Sequence, residues 1–246
     1  MKTIGITGGV GCGKSRVLDY IEENYRAYVL KADELAQKLK LPGQPCYEAL
    51  IDLLGEEVLE EAGTDTAEIA GTDTTDTTET TGQTAPGSNR IPAANSGNNP
   101  KPTTSPREHD RRPIDNRKMA QKIFSDPQIL QQVNAIMHPA VKTEILKRIK
   151  TSAASGRYDL FILEAALLIE EGYMEIVDRM WYIYADEDTR RSRLKESRGY
   201  SDDKIDSIMK SQLTEDEFRK SCQVVIDNSG DWTKTREQIR LALSEM

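Results

Sequence analysis

Short apolar runs alternate with amphipathic stretches along most of the chain. Apolar residues three or four positions apart share one side of a helix, as Val17, Leu18 and Ile21 do between Lys14 and Asn24. The short apolar runs are predicted strands: KTIGIT at 2–7, AYVLKAD ending at Asp33, Leu160 to Leu163 followed by Glu164, DRMWYIYAD and VVIDNSG. Strands that alternate with helices predict an α/β fold with a parallel sheet covered by helices on both faces.

The middle and end of the chain contain most of the predicted helices. Amphipathic spacing predicts them at 34–41, 46–61, 114–126, 127–137, 140–153, 187–201, 202–222 and 233–246. His138-Pro139 is predicted to break the long apolar stretch, because a proline inside a helix removes one backbone hydrogen bond.

A segment of different character interrupts this pattern at about 64–112. It is rich in Thr, Asp, Gly, Asn and Pro and has almost no large apolar side chains. Such a segment buries too little apolar surface to offset the entropy lost on ordering. We therefore predict a disordered insertion within a single domain.

Composition and charge narrow the class of protein. The chain has 246 residues and a net charge of −8, so a nucleic-acid partner is disfavoured. No apolar run is long enough for a membrane span, and the N-terminus does not resemble a signal peptide. The three cysteines are far apart in sequence, which favours a reducing cytoplasm over a disulfide framework or a zinc site.

The strongest motif runs from Gly8 to Ser15. GGVGCGKS matches G-x-x-x-x-G-K-[ST], the P-loop or Walker A motif, and it lies between a predicted strand and a predicted helix. Glycines allow successive backbone N–H groups to turn toward phosphate oxygens, and the helix N-terminus adds partial positive charge. Lys14 can reach the β- and γ-phosphates of a nucleotide, and the Ser15 hydroxyl can bind Mg²⁺.

The remainder of the sequence favours a small-molecule kinase among P-loop proteins. The N-K-x-D signature of a GTPase is absent, and the strand before Glu164 lacks the Asp-Glu ending typical of motor ATPases. Asp33 ends a predicted strand and could accept the proton of an attacking hydroxyl, or could simply cap a helix. Glu164 could hold Mg²⁺ through a water, or could cap the next helix.

Four arginines lie close together in the late basic segment: Arg190, Arg191, Arg193 and Arg198. Guanidinium groups suit a closing segment that stabilises a transferring phosphoryl group, but a basic run can also be a solvated face paired with nearby acids. Gly199 could act as a hinge for such a segment. For His138, a binding or packing role is favoured over a role as general base.

The sequence as a whole resembles the dephospho-CoA kinase family. The resemblance lies in ITGGVGCGKS, KADELAQKLKLPGQP, IDNRKMAQKIFSD, VNAIMHPAV, EAALLIEEGY, RLKESRGYS and VVIDNSG, in this order and over nearly the whole chain outside the Thr-rich insertion. It implies phosphorylation of the ribose 3′-hydroxyl of dephospho-CoA by ATP with Mg²⁺. It also implies a P-loop NTPase-like three-layer α/β/α core at 1–33, 157–188 and 222–246, a helical CoA-binding subdomain at 34–156 and a lid at 189–221.

The resemblance also assigns roles to individual residues. Asp33 is implied as the base, with Lys14 and Arg193 as further catalytic residues. ATP is expected on Gly8, Gly9, Gly11, Cys12, Gly13, Lys14, Ser15, Arg16 and Asn228. Dephospho-CoA is expected on Arg117, His138 and Arg198, and Mg²⁺ on Ser15 and, through water, Glu164. A monomer that binds neither nucleic acid nor membrane is expected.

The chain departs from the family pattern at several positions. Lys31 stands where the family often has Asp, and Arg16 stands where it often has Thr. Glu164 begins a segment that in the family often reads Asp-x-Pro-Leu-Leu. This difference leaves open whether Glu164 binds the metal. Two other hypotheses remain: a kinase of another hydroxyl acceptor, such as a nucleoside or nucleotide, and a nucleotide-binding module without catalysis.

Overall fold

One parallel sheet organises the chain. The computed structural model describes residues 1–61, 112–165, 168–169 and 172–246. The strands are β1 (Lys2–Thr7), β2 (Ala27–Lys31), β3 (Leu160–Glu164), β4 (Arg179–Tyr184) and β5 (Val224–Asp227). In the described residues they form a five-stranded sheet in the order β2-β3-β1-β4-β5, with every neighbouring pair parallel. The predicted α/β class with a parallel sheet is confirmed.

Helices connect the strands and cover the sheet. They are α1 (Lys14–Asn24), α2 (Ala32–Leu39), α3 (Tyr47–Leu54), α4 (Asn116–Ser125), α5 (Pro127–Ser155), α6 (Glu187–Arg198), α7 (Asp202–Lys210), α8 (Glu215–Ser221) and α9 (Trp232–Ser244). Several helices begin directly after a residue whose side chain accepts a backbone N–H of the first turn. This hydrogen bond satisfies a donor that has no partner within the helix. Asp115 does this for α4, Asp126 for α5 and Asp186 for α6.

The two faces of the sheet bury different helices, because alternate strand residues point to opposite sides. Trp181 and Ile183 of β4 pack in the cluster that includes α1 and α9. Met180 and Tyr182 pack in the cluster that includes α2, α3, α4, α5 and α8. The cluster that contains Met180 and Tyr182 is continuous from the sheet to the helices α2, α3, α4 and α5. The expected three-layer α/β/α arrangement follows from these two clusters.

The predicted break at His138-Pro139 is wrong. Helix α5 continues through Pro139 to Ser155. Its buried residues Val133, Met137, Val141 and Ile145 recur every four positions on both sides of the proline. Pro139 has no N–H for the backbone carbonyl four residues before it. His138 and Pro139 are exposed, so this carbonyl can face water. Packing of a continuous apolar face therefore outweighs the local cost of the proline.

Other boundaries also differ from the predictions. The second strand ends at Lys31 instead of Asp33, which lies in the first turn of α2. The helix predicted at 46–61 ends at Leu54, because Gly55 has φ of 82° and only a short 3₁₀ turn follows. The stretch 202–222 forms two helices, α7 and α8.

The predicted disordered insertion lies outside the described residues except for Arg112. The Arg112 carbonyl accepts a hydrogen bond from the Tyr47 hydroxyl at 2.6 Å, so the described chain resumes beside α3. Among the helices of the described residues, none is both long and apolar enough to cross a membrane.

Candidate active site

The phosphate loop lies at the carboxyl edge of the sheet, between the end of β1 and the start of α1. Gly13 has φ of 85° and lies so close to Asn228 that a Cβ would approach the Asn228 Nδ2 to 2.4 Å. Only glycine satisfies both conditions at this position. The Lys14 Nζ donates to the Gly8 carbonyl at 2.8 Å, which places the ammonium across the loop. The loop therefore curls back on itself, with the Lys14 side chain bonded to its first residue.

Two arginines of α6 bind the carbonyl groups of this loop. The Arg190 Nε donates to the Val10 carbonyl at 2.9 Å. The Arg193 Nη1 donates to the Cys12 carbonyl at 3.3 Å, and its Nη2 donates to the Asn228 carbonyl at 2.8 Å. Arg191, in contrast, points toward acids of its own region and pairs with Glu187 and Asp206. The basic segment therefore divides into a face directed at the loop and a face directed at α7.

Gln212 completes the attachment of the loop, and the sequence analysis missed it. Its Oε1 accepts the backbone N–H of Val10 at 3.1 Å and the Arg190 Nη2 at 3.0 Å. Both polar groups of Val10 are thus held by side chains from α6 and from the turn after α7. No sequence signal indicated this contact, because Gln212 lies 202 positions from Val10 in an unremarkable polar turn.

Asn228 also supports the loop. Its Nδ2 donates to the Cys12 carbonyl at 2.8 Å, and its Oδ1 accepts the Thr235 hydroxyl at 3.2 Å. The side chain is only 2% exposed. These bonds connect β5 and α9 to the phosphate loop.

Cys12 is buried within the loop, where its residue is only 1% exposed. Burial raises the pKa of the Cys12 thiol, although the charges of Lys14, Arg190 and Arg193 lower it in part. A buried thiol with a raised pKa is a poor nucleophile. The structure thus gives Cys12 a packing position in the loop and does not favour a reactive thiol.

A cavity of about 560 Å³, here called the loop cavity, opens over the phosphate loop. Its wall includes Gly9, Val10, Gly11, Gly13, Lys14, Ser15, Arg16, Arg193, Arg198 and Asn228. The Arg16 guanidinium lies 4.2 Å from the centre of the Trp232 ring, so a cation–π contact holds it at the rim. Arg198, for which a contact with dephospho-CoA is expected, also lines this cavity, and its guanidinium lies 5.8 Å from the centre of the Tyr200 ring.

A second cavity of about 220 Å³, here called the helical cavity, lies between α2, α4 and α5. Its wall is formed by Ala32, Asp33, Ala36, Lys40, Met119, Asn134, Met137, His138, Val141, Ala165 and Tyr173. Asp33 and His138 therefore lie in the wall of one cavity. Lys40, Asn134 and Tyr173 were missed. Arg117 is not in this wall; it lies exposed in the first turn of α4.

The position of Asp33 bears on its two alternative roles. The N-cap of α2 is Lys31, and no side chain caps this helix end. Within the part of the chain that the structure describes, no side-chain hydrogen bond or ion pair engages the Asp33 carboxylate. Asp33 thus does not cap α2, and its exposed carboxylate faces the helical cavity.

Glu164 directly precedes Ala165, which lines the helical cavity. It ends β3, where the register pairs it with Lys31 of β2 and Ile6 of β1. Burial raises the pKa of the Glu164 carboxyl, the Lys14 ammonium lowers it, and the Asp33 charge raises it further. The carboxyl group is therefore within electrostatic reach of both Lys14 and Asp33.

The metal-binding capacity of the site is modest. Across the described residues, no group of three or more His, Cys, Asp or Glu side chains could hold a metal ion. Mg²⁺ in phosphoryl-transfer sites needs fewer protein ligands, because substrate phosphates and waters supply most of its oxygens. The exposed Ser15 hydroxyl and the Glu164 carboxyl at the neighbouring strand end fit that donor set.

Comparisons with known proteins agree with this geometry. The family model described as dephospho-CoA kinase matches residues 2–71 and 110–234. A dephospho-CoA kinase of Carboxydothermus hydrogenoformans is 30% identical over 98% of this chain and 93% of its own length. One of Aquifex aeolicus is 29% identical over 100% of this chain and 98% of its own length.

Solved structures show the same fold. The dephospho-CoA kinase from Campylobacter jejuni has a TM-score of 0.60 at 15% identity, covering 100% of this chain and 97% of that protein. TT1252 from Thermus thermophilus has a TM-score of 0.66 at 23% identity, covering 100% of this chain and 97% of that protein. Together with the matched family model, these similarities show that the chain belongs to the dephospho-CoA kinase family.

Proposed function

We propose that this enzyme transfers the γ-phosphate of ATP to the 3′-hydroxyl of dephospho-CoA between the two cavities, with Asp33 as the base. Membership of the family indicates the reaction, which yields CoA and ADP in the final step of coenzyme A synthesis. The observation that carries the assignment of residues is the position of Glu164, whose carboxyl group is within electrostatic reach of Lys14 in the loop cavity and Asp33 in the helical cavity. Two substrates bound on either side would meet at this point.

Asp33 accepts the proton of the 3′-hydroxyl as that oxygen attacks the γ-phosphorus. A new bond forms between the ribose oxygen and phosphorus, and the bond from the γ-phosphorus to the bridging oxygen of ADP breaks. An exposed carboxylate that has no bonded partner among the described residues is available for such a hydroxyl. In an open parallel sheet, substrates bind beyond the carboxyl ends of the strands, which is where Asp33 lies.

The loop cavity would hold ATP. Backbone N–H groups of the loop and the N-terminus of α1 bind the phosphates, and Lys14 neutralises charge on the β- and γ-phosphates. Arg193 already donates to the loop, so a rotation of its side chain would direct the guanidinium to the same phosphates. Arg16 completes the proposed nucleotide site from the rim of the cavity, and Asn228 completes it from the floor.

Magnesium would enter with the nucleotide. The residues proposed to hold it are Ser15, through its hydroxyl, and Glu164, through a water. A bound Mg²⁺ would supply positive charge that offsets the negative charge of the phosphate groups. Glu164 can serve in this role only while its carboxyl group is ionised.

The domain division follows from the same assignment. We propose a nucleotide-binding core at about 1–33, 157–188 and 222–246, an acceptor-binding helical part within 34–156, and a lid at about 189–221. His138 would contact the acceptor from α5. Contacts of dephospho-CoA with Arg117 and Arg198, the monomeric state and the cytoplasmic location remain predictions.

The direct test is the product. Purified protein with Mg·ATP should add the mass of one phosphate to dephospho-CoA and convert it to CoA. Adenosine and AMP serve as parallel acceptors, because the alternative hypothesis of a nucleoside or nucleotide kinase predicts phosphorylation of these molecules. Absence of CoA from the wild-type reaction, with ATP still bound, would refute the proposed acceptor.

A further inference from the structure

The helical cavity contains one cation, Lys40, that the proposed function has not used. Lys40 follows the last residue of α2 and lies in the cavity wall together with Asp33 and Ala36 of the same helix. Positions 33, 36 and 40 are three and four residues apart, so they share one helix face. Lys40 and Asp33 therefore lie at opposite ends of one continuous side of the cavity.

The ammonium group of Lys40 is partly desolvated and incompletely bonded. Its Nζ donates to the Asn116 Oδ1 at 2.8 Å and lies 4.0 Å from the Met119 sulfur. Burial lowers the pKa of Lys40, which reflects the cost of removing its charge from water. An ammonium group has three donors, and in the described part of the chain a single amide oxygen and a weak sulfur acceptor engage it.

Within the described residues, Lys40 has no acidic partner, although several other lysines of the chain have one. Lys31 pairs with Glu34, Lys122 with Glu57 and Lys195 with Asp202. Within the described residues, no carboxylate oxygen lies within 4.0 Å of the Lys40 Nζ. A half-buried cation without an anion is costly unless a ligand supplies the missing charge.

The spacing along α2 indicates where that anion would lie on the ligand. Seven residues of helix correspond to about 10 Å along the axis. The flexible four-carbon stem of Lys40 can shorten this separation. An acceptor whose hydroxyl reaches Asp33 would therefore place another of its groups near Lys40. That group would be separated from the hydroxyl by roughly the length of one ribose.

We propose that Lys40 forms an anion subsite that binds the 5′-diphosphate of the acceptor while Asp33 holds its 3′-hydroxyl. This inference rests on the proposed function, since it places the acceptor in the helical cavity. The bonds to Asn116 and the contact with Met119 hold the ammonium group in the wall and leave donors for phosphate oxygens. The subsite selects a nucleotide with a 5′-diphosphate over an uncharged nucleoside.

The test replaces Lys40 by methionine, which keeps an apolar stem and removes the charge. The KM for dephospho-CoA should rise by about tenfold to a hundredfold in Lys40→Met, because a hydrogen bond to a charged group is lost. The KM for ATP should stay within about twofold of wild type. Lys40→Arg, which keeps the charge, should recover most of the affinity. Lys38→Met is the matched control, because Lys38 is exposed on another face of α2.

Binding measured by calorimetry separates this inference from the proposed function. Dephospho-CoA and adenosine are titrated into wild type and Lys40→Met, without ATP. A loss confined to dephospho-CoA supports the subsite, whereas equal losses for both ligands, or no loss, overturn it. Failure of the wild type to make CoA would refute the proposed reaction but would leave this binding comparison readable.

Discussion

The loop cavity and the helical cavity are built in different ways. Around the loop cavity, Arg190, Arg193, Gln212 and Asn228 donate to or accept from the backbone of the phosphate loop. Around the helical cavity, apolar side chains of α2, α4 and α5 form most of the wall. Within the described residues, its Asp33 carboxylate has no bonded partner.

This difference shows which part of the site is fixed by the protein. Hydrogen bonds from distant elements hold the phosphate loop, so its geometry is preorganised for one rigid ligand group, a polyphosphate. Within the described residues, the Asp33 carboxylate of the helical cavity remains available to a ligand. Changes on the loop side should therefore alter the use of ATP, and changes on the helical side should alter the use of the acceptor.

Among the changes around the bound nucleotide, the largest expected effect belongs to Lys14. Lys14→Ala should lower kcat/KM on the order of 10³-fold, or ~4 kcal/mol, because the transferring phosphoryl group loses a directly placed cation. Steady-state kinetics with Mg·ATP and dephospho-CoA measure this loss. Lys2→Ala, an exposed lysine at the start of β1, provides the control. Near-normal kcat/KM in Lys14→Ala would exclude the role given to Lys14.

Glu164 should produce a smaller, pH-dependent effect. Glu164→Gln should raise the Mg²⁺ concentration needed for half-maximal rate by about tenfold, as loss of an outer-sphere ligand does. Burial raises the pKa of Glu164, so the wild type should lose this contribution, as pH falls, at a higher pH than an ordinary glutamate would allow. The glutamine variant should lack that step in the pH profile.

The control for Glu164 is Glu48→Gln, an exposed glutamate of α3. Magnesium titrations at several pH values compare both variants with wild type. An unchanged magnesium requirement in Glu164→Gln would remove Glu164 from the proposed metal site and would leave Ser15 as its only protein ligand.

Gln212 offers the smallest and most selective test of the loop side. Gln212→Leu should raise the KM for ATP by about tenfold, because the Val10 N–H and the Arg190 guanidinium lose a shared acceptor. The KM for dephospho-CoA should change little. Lys210→Ala, an exposed change at the end of α7, should leave both constants unchanged. A rise confined to the acceptor constant would contradict the separation of the two cavities.

Local patterns predicted the loop side well. The motif from Gly8 to Ser15 is recognised by its short-range spacing. Short apolar runs identified the strands, including the one that ends at Glu164, although Asp33 lies two residues beyond the end of β2. These signals depend on neighbours in sequence. The resemblance to a family then supplied the expected acceptor, which no spacing in the chain could indicate.

Contacts between distant segments could not be predicted in the same way. Gln212 reaches Val10 across 202 positions, and only the packing of the turn after α7 against the loop brings them together. The error at Pro139 has a related cause, since burial of Met137 and Val141 against other helices preserves a helix that local preference would end. The position of Lys40 beside Asp33 could in principle have been predicted from the sequence, because Asp33, Ala36 and Lys40 share one face of α2.

The central claim is that Asp33 acts on the acceptor hydroxyl and has no part in holding ATP. The measurement that tests it most directly compares wild type and Asp33→Asn by ATP binding and by single-turnover formation of CoA. The account predicts unchanged ATP affinity and a transfer rate reduced by about 10²- to 10⁴-fold, since the variant keeps the size of the side chain but cannot accept a proton. A normal transfer rate, or a loss that appears only in ATP binding, would contradict it.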